Sequence, residues 1–346
     1  MRPEGPFAAP ESVPADIQAL PKCNLHTHLE GSVRPATLVA LAQAQGLALP
    51  VPEAEVAGAM QVTGAEHSLA DYLAKIAFSY PVLRTAAALR RAACEAAEDA
   101  ARSNVRYFEL RAGPATHASP DLPVRAVIGA IVAGLAEAEA RFGLTCRLIV
   151  AALRHHAPEV NVGLARAALD FRGAGVVGFD LAGDEARFPA ALHREAFAIA
   201  RAGGLGITVH AGEAGGPDEV VYAVRELQAT RIGHGVHSLA DPETMALLAD
   251  RQVTLELCPT SNVHTATLPS IQAHPIRQFI QQGVPVTIGD DDPITSQTNL
   301  ARELTLLRQV FQFALADLRD FQIAGLRSSF LEDKARRAQL LREFTQ

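Results

Sequence analysis

Short runs of apolar and β-branched residues recur along the chain, and longer segments of mixed polarity separate them. Runs of about four to eight such residues are typical of strands that are buried on both faces of a sheet. We interpret eight of these runs as strands, at Cys23–His28, Val105–Leu110, Thr145–Ala152, Val176–Leu181, Gly206–His210, Thr230–His234, Val253–Leu257 and Val284–Gly289.

The segments between these runs begin and end like helices. Proline near the start and glycine at the end delimit predicted helices at Pro35–Gly46 and His274–Gly283, and another opens at Asp241. Strands that alternate with helices pair in parallel through right-handed crossovers. The pattern predicts an α/β protein with a single closed (β/α)₈ TIM barrel. An open doubly wound sheet is the alternative, but it would need a glycine-rich turn that is missing after the first strand.

The insertion between the first and second strands is far longer than one helix requires. It includes Ser68–Tyr80 and an alanine-rich segment that predicts a helix from about Pro81 to Ser103. One apolar face of a short helix is predicted within it, at spacings of three and four residues: Leu69, Tyr72, Leu73 and Ile76. This face either forms a helical lid over the barrel mouth or packs on the barrel, and both interpretations remain open.

The two ends of the chain complete the predicted organisation. Residues 1–19 are interpreted as a flexible N-terminal arm, and residues 20–346 as one metal-dependent barrel domain. After the eighth strand, Gln297–Gln346 predicts several extra C-terminal helices. No internal repeat or low-complexity linker divides the chain.

Composition excludes several classes of protein. With 49% hydrophobic and 20% charged residues among 346, the chain can bury enough surface to fold, which excludes intrinsic disorder. A net charge of -7 argues against nucleic acid or an anionic membrane as the partner. No run of about 18 apolar residues suggests a membrane span. The N-terminus lacks the pattern of a signal peptide, so we predict a cytoplasmic protein that acts on a small molecule.

Histidines and acidic residues collect at the ends of the predicted strands. His26 and His28 end the first strand, and residues two apart in a strand point to the same face. The ends of the other strands carry Gly183, His210, Glu213, His234, Glu256 and the run Asp290-Asp291-Asp292. In a barrel all these ends face one mouth, where barrel enzymes have their active sites. The structural alternative is a set of hydrogen-bonded polar residues on loops.

The side chains at this mouth are of the types that bind zinc. Neutral imidazoles with one carboxylate suit a zinc ion that keeps a position open for water. Other hydrolytic barrels use two metals that a carboxylated lysine bridges. The lysines here are only Lys22, Lys75 and Lys334, so no strand end after the first can supply one. The sequence therefore predicts one zinc ion per chain.

Taken together, five motifs resemble the adenosine deaminase family of the amidohydrolase barrels. They are HTHLEGS, DLAGDE, TVHAGE, RIGHG and the DDP after the last strand, in an order and spacing that match from about residue 20 to residue 335, including a late RSSFLEDK. The zinc deaminases of the cytidine type are excluded, because they need PCxxC together with HxE and this chain has no PCxxC. The resemblance implies zinc-dependent hydrolytic deamination of adenosine and 2′-deoxyadenosine to inosine plus ammonia.

The resemblance also implies a role for each site residue. The implied zinc ligands are His26, His28, His210 and Asp291, with Asp290 as the rival because three aspartates stand in a row. Glu213 would protonate purine N1 while hydroxide adds to C6. His234 would orient or deprotonate the attacking water and would itself be held by Glu256. For substrate binding, the backbone N–H of Gly183 would meet N3, and Asp292 would face N7.

Glu30 departs from the family pattern, which has aspartate at this position to meet the ribose 5′-hydroxyl. Glutamate there resembles relatives that act on adenine or on 5′-modified adenine nucleosides such as 5′-methylthioadenosine and 6-aminodeoxyfutalosine. Glu109-Leu110-Arg111, in contrast, resembles the nucleoside enzymes. Two further alternatives are a non-catalytic zinc-binding barrel, although no ligand position is lost, and another mononuclear amidohydrolase that acts on a different ring.

Overall fold

Eight parallel strands form the centre of the molecule. The computed structural model describes residues 12–345. The strands follow one another around the sheet in chain order, each pairing in parallel with the next. They are β1 Lys22–His28, β2 Val105–Ala112, β3 Thr145–Leu153, β4 Val176–Ala182, β5 Gly206–Ala211, β6 Arg231–His234, β7 Thr254–Leu257 and β8 Val286–Ile288. All eight predicted strands are confirmed, with bounds that differ by at most two residues.

The sheet closes on itself between β1 and the segment that follows β8. The backbone N–H of Asp291 donates to the carbonyl of His26 at 2.9 Å, and the N–H of His28 donates to the carbonyl of Asp291 at 2.7 Å. The fold is therefore the predicted (β/α)₈ barrel and not an open sheet. This closure also brings the first and last motifs of the sequence side by side.

Helices surround the barrel and cover its ends. Within residues 12–345 they are α1 Ala15–Ala19, α2 Pro35–Ala44, α3 Val56–Met60, α4 Leu69–Ala77, α5 Ala86–Arg102, α6 Pro114–His117, α7 Val124–Phe142, α8 Pro158–Leu169, α9 Arg194–Ala202, α10 Pro217–Arg225, α11 Pro242–Asp250, α12 Pro259–His264, α13 Ile276–Gln281, α14 Leu300–Phe311, α15 Leu315–Ser328 and α16 Lys334–Thr345. Most of their apolar faces share one core with the strands, and two smaller apolar clusters lie apart from it, one at α15 and α16 and one at α4. No helix among these residues is long and apolar enough to cross a membrane.

The alanine-rich helix of the insertion begins later than predicted. α5 starts at Ala86 and not near Pro81, because the Thr85 hydroxyl accepts a hydrogen bond from the N–H of Ala88 and caps the helix there. The shorter helix α4 lies within the predicted segment Ser68–Tyr80, and Ser68 caps it in the same way.

The last part of the chain closes the barrel at the end opposite the histidines. Between α15 and α16, the ring of Phe330 lies over the guanidinium of Arg231, 3.7 Å from its central carbon. The backbone N–H of Phe330 donates to Glu109 at 2.8 Å. A Cβ on Gly206 would lie 2.2 Å from this ring, so only glycine fits at this position of β5. The RSSFLEDK motif therefore packs against the end of the barrel that lies opposite the histidines.

The predicted N-terminal arm is packed where the structure describes it. Residues 1–11 lie outside the described residues. α1 follows at Ala15, with Ile17 fully buried and Asp16 paired to Arg308 at 2.9 Å. Residues 15–19 are therefore not a loose arm, because an apolar side chain ties them to the core. The single-domain assignment of residues 20–346 stays a prediction.

Candidate active site

Three histidines and one aspartate converge at the mouth of the barrel, from β1, from β5 and from the segment after β8. The Nε2 atom of His210, at the end of β5, lies 3.0 Å from that of His26 and 3.1 Å from that of His28. The Nε2 atoms of His26 and His28 are 3.4 Å apart. Asp291 Oδ1 lies 3.3 Å from each of these two. The cluster is a candidate metal site that the sequence predicted from three separate segments.

Carboxylates behind the cluster fix the orientation of two of these rings. His26 Nδ1 lies 3.0 Å from Glu256, and His210 Nδ1 lies 3.0 Å from Asp180. Both carboxylates are fully buried. A carboxylate on the far nitrogen fixes the tautomer, so that the other nitrogen presents its lone pair to a metal. Sequence reasoning missed Asp180, although it opens the DLAGDE motif.

The three consecutive aspartates have different surroundings. Asp291 turns its Oδ1 to the histidines, and its Oδ2 accepts a 2.6 Å hydrogen bond from Ser261. Asp290 faces away from the cluster, where its carboxylate accepts hydrogen bonds from Asn24 and from the backbone N–H of Leu300. Asp292 is buried beside the cavity described below. The structure thus brings Asp291 to the histidines and keeps Asp290 apart from them.

Glu213 and His234 lie together at the edge of the cluster. His234 Nε2 is 3.7 Å from the Glu213 carboxylate and 3.9 Å from Asp291 Oδ2. One ring nitrogen of His234 also belongs to a group with His26, His210 and Asp291 whose candidate ligand atoms all lie within 4.8 Å of one another. His234 is thus close enough to interact with anything that this cluster binds.

The expected contact between Glu256 and His234 is wrong. Glu256 lies deeper in the barrel, where its carboxylate pairs with His26, Arg111 and Arg231. The second ring nitrogen of His234 instead lies 3.1 Å from the side-chain amide of Asn262. The two guanidinium groups attract Glu256 into the barrel interior and away from the mouth. Asn262, on α12 after β7, has no signal in the sequence motifs.

Ionisation in this site follows from burial and from the charges nearby. Burial, together with Asp291 and Glu185, raises the pKa of the Glu213 carboxyl well above its usual range. Burial lowers the pKa of His234 well below that of a free histidine. The carboxyl therefore favours its protonated form and the ring its neutral form. Such a pair has a proton to give on one side and can accept one on the other.

A cavity of about 340 Å³ opens beside the cluster. Glu30, Gly183, Glu213, His234 and Asp292 all line it, so each substrate-binding residue expected from the sequence borders one space. The apolar stripe of the insertion forms another wall through Leu69, Tyr72, Leu73 and Ile76. α4 thus covers the mouth, and its stripe faces the cavity.

One wall of this cavity depends on a close approach between backbone and side chain. A Cβ on Gly31 would lie 1.9 Å from Asp292 Oδ1, so this position must be glycine for Asp292 to take its place. Asp292 Oδ1 has no hydrogen-bond partner among the described residues. Burial, together with Asp291, raises the pKa of Asp292 well above its usual range. The carboxyl can therefore donate a hydrogen bond into the cavity.

The comparison with known proteins agrees with this arrangement. A family model described as adenosine deaminase matches residues 21–345. The chain belongs to the adenosine deaminase family. An adenosine deaminase from Klebsiella pneumoniae is 39% identical over 326 residues, which cover 94% of this chain and 98% of that relative. Like its family, the chain is a hydrolase that acts on C–N bonds in amidines.

Solved structures of related deaminases and amidohydrolases have the same architecture. An adenine deaminase from Arthrobacter aurescens has a TM-score of 0.88 and 28% identity, covering 94% of this chain and 98% of that chain. A zinc-bound amidohydrolase from Burkholderia ambifaria has a TM-score of 0.87 and 31% identity, covering 99% of this chain and 96% of that chain. Both solved structures thus resemble this chain over nearly its whole length.

Proposed function

We propose that this member of the adenosine deaminase family is a zinc-dependent hydrolase that converts adenosine and 2′-deoxyadenosine to the inosine nucleosides and ammonia. The observation that carries the proposal is the placement of Glu213 and His234, 3.7 Å apart, between the histidine cluster and the cavity. A proton donor and a proton acceptor next to a metal site are what deamination of a purine ring requires. A cytoplasmic location remains part of the proposal.

We assign the metal to His26, His28, His210 and Asp291. Five of the six distances between their donor atoms are 3.0 to 3.4 Å, and the donor atoms of His210 and Asp291 lie within 4.8 Å of each other. Ligands of a tetrahedral zinc ion with bonds of about 2.0–2.1 Å are separated by roughly 3.3 Å. Three imidazoles with one carboxylate, two of the rings backed by carboxylates, are a donor set that zinc prefers. When bound, zinc supplies Lewis acidity that lowers the pKa of water to near neutrality.

Glu213 is assigned as the proton donor to purine N1. Ring carbon C6 is a poor electrophile until N1 accepts a proton, so addition of hydroxide to C6 needs an acid at N1. Burial and the nearby carboxylates raise the pKa of Glu213, which favours the protonated carboxyl that this step needs. Collapse of the tetrahedral adduct then breaks the C6–N bond. The amino group takes the proton that His234 accepted from water and leaves as ammonia, while the C6 hydroxyl returns a proton to Glu213 and becomes the carbonyl of the product.

His234 is assigned to orient the attacking water and to accept its proton. Its ring lies beside Glu213 and Asp291, and its second nitrogen is fixed by Asn262. The lowered pKa keeps the ring neutral, so a lone pair is available at neutral pH. Asp292 also lines the cavity, and its raised pKa favours the protonated form that can donate to N7, which is an acceptor. We assign N3 to the backbone N–H of Gly183.

The cavity favours an uncharged purine over a nucleotide. No lysine or arginine is among the described residues that line the cavity. Four acidic residues do line it, namely Glu30, Glu213, Asp291 and Asp292. Phosphate binding generally needs cationic side chains or a cluster of N–H donors. Adenosine is the first candidate substrate because relatives named adenosine deaminase reach 39% identity. Adenine or a 5′-modified adenine nucleoside is the second candidate, because Glu30 stands where the family has aspartate.

An ultraviolet assay of the purified zinc-loaded protein tests this proposal. The substrates are adenosine, 2′-deoxyadenosine, adenine, 5′-methylthioadenosine, 6-aminodeoxyfutalosine and AMP. We expect the highest kcat/KM for the first two and none for AMP. Glu213→Gln should keep its zinc and lose several orders of magnitude in turnover. Near-normal turnover in that variant would refute the proton-donor assignment, and a preference for adenine would refute the assigned substrate.

A further inference from the structure

A buried histidine holds Glu30 from behind. One oxygen of the Glu30 carboxylate, Oε1, accepts a 2.9 Å hydrogen bond from the backbone N–H of Gly113. His117 Nε2 lies 2.9 Å from the same oxygen and donates to it, since a carboxylate can only accept. His117 is fully buried at the end of α6. Two donors from the loop after β2 therefore fix one oxygen of Glu30.

The other oxygen of Glu30 is left for a ligand. Oε2 has no hydrogen-bond partner within residues 12–345, and Glu30 lines the cavity together with Tyr80 and Thr116. The ring of Tyr80 packs edge-on against His117 at 5.7 Å and stops the imidazole from turning away. Oε1 of Glu30 is thus fixed by its two donors, and the position of Oε2, which remains free to accept a hydrogen bond, is fixed with it.

A carboxylate constrained in this way discriminates between ligands. A free glutamate side chain samples several rotamers and loses that freedom when it binds, which weakens any hydrogen bond that it makes. With Oε1 held by two donors, most of this cost is met before a ligand arrives. A ligand group that donates a hydrogen bond is then favoured, and a group that cannot donate leaves a buried charged acceptor without a partner.

We infer that His117 is a specificity-determining positioning residue, which fixes Glu30 so that its free oxygen accepts a hydrogen bond from the 5′-hydroxyl of the nucleoside. This inference rests on the proposed function. His117 does not touch the substrate and acts only through Glu30. The structural alternative is that His117 merely ties the loop after β2 to the segment that follows β1.

Substrates with and without the 5′-hydroxyl separate these roles. The measurement is kcat/KM for adenosine and for 5′-deoxyadenosine, with wild type, His117→Leu, His117→Gln and the control His156→Leu. His156 is half-buried near the barrel mouth but does not line the cavity. We expect wild type to favour adenosine by roughly tenfold or more, the range for one hydrogen bond to a charged group.

In His117→Leu we expect that preference to fall to within about threefold of unity, chiefly through a higher KM for adenosine. His117→Gln should restore most of it, because its amide can donate to Glu30. His156→Leu should keep the wild-type ratio. If His117→Leu lowers kcat/KM for adenosine and for 5′-deoxyadenosine by the same factor, the inference is wrong while the proposed function stands. The same holds if wild type turns over both nucleosides without preference. If wild type acts on adenine but on neither nucleoside, both are wrong.

Discussion

The backbone N–H of Glu213 donates a 3.0 Å hydrogen bond to the side-chain carboxylate of Glu185. The same carboxylate also accepts from the backbone N–H groups of Gly212, Ala214 and Gly215, at 2.7 to 2.9 Å. Glu185 is almost fully buried, so these bonds are shielded from water. One side chain from the loop after β4 therefore fixes the loop that carries the proposed proton donor.

Removing this charge should impair turnover more than folding. In Glu185→Gln the amide nitrogen of the new side chain faces backbone N–H donors and cannot accept from them, so the loop loses part of its support. We expect kcat to fall by roughly tenfold or more, as hydrogen bonds to a charged group are worth about 1.5–3 kcal/mol. Steady-state kinetics with zinc analysis checks this. A variant that loses zinc in proportion to activity would contradict it.

The activity should decline on the alkaline side of its pH profile. Burial, Asp291 and Glu185 raise the pKa of Glu213, and the proton donor is the protonated form. That form is present below the raised pKa and is lost as the pH rises through it. Glu185→Gln removes one of the negative charges that raise this pKa, so the decline in kcat should begin at a lower pH.

Profiles of kcat against pH for wild type and Glu185→Gln, measured at saturating adenosine and constant ionic strength, check this prediction. The control is Glu226→Gln, a change at an exposed glutamate paired with Arg194. This control should leave the profile in place. A shift of the Glu185→Gln profile to higher pH would have the wrong sign for the proposed charge effect.

Most of the strands could be predicted from the sequence because they are buried on both faces and are rich in apolar and β-branched residues. Val176–Ala182, for example, is buried at every position. Closure of the barrel then brings the ends of distant strands together, which is why His26 and His210 could be expected at one mouth from their positions at strand ends. The start of α5 was missed because the Thr85 cap outweighs the helix propensity of the residues before it.

Polar contacts behind the site were harder to predict. Glu256 was expected near His234, yet Arg111 and Arg231 compete for its carboxylate inside the barrel. A buried carboxylate can pair with several partners, and side-chain geometry decides which one it contacts. The periodicity of the sequence does not encode this geometry. The contact of Asn262 with His234 was missed for the same reason.

Single substitutions at adjacent aspartates should separate metal binding from stability. Asp291→Ala removes the carboxylate that faces the histidines, and we expect zinc per chain to drop from about one to near zero after dialysis. Asp290→Ala should retain zinc but melt at a lower temperature, because Asn24 and the N–H of Leu300 lose a buried acceptor. Elemental analysis and thermal melts check both variants. Loss of zinc in Asp290→Ala instead would show that the assigned register is off by one residue.

The covering helix should be coupled to the substrate site through one hydrogen bond. The Tyr72 hydroxyl on α4 lies 2.8 Å from the Ser296 hydroxyl, and the N–H of Ser296 donates to the carbonyl of Asp292. Tyr72→Phe keeps the ring that fills the wall and removes the hydroxyl that makes this link, so α4 should close less firmly over a bound purine. We expect KM for adenosine to rise by about threefold to tenfold, the effect of one neutral hydrogen bond, with a smaller change in kcat.

A double-mutant cycle tests whether this hydrogen bond is the cause. Ser296→Ala should raise KM by a similar factor, and the double variant Tyr72→Phe/Ser296→Ala should raise it little further, because both changes remove the same bond. Multiplicative effects in the double variant would mean that the two hydroxyls act independently. In that case α4 would be held over the cavity by its apolar stripe alone, and Leu73→Ala would become the variant that raises KM most.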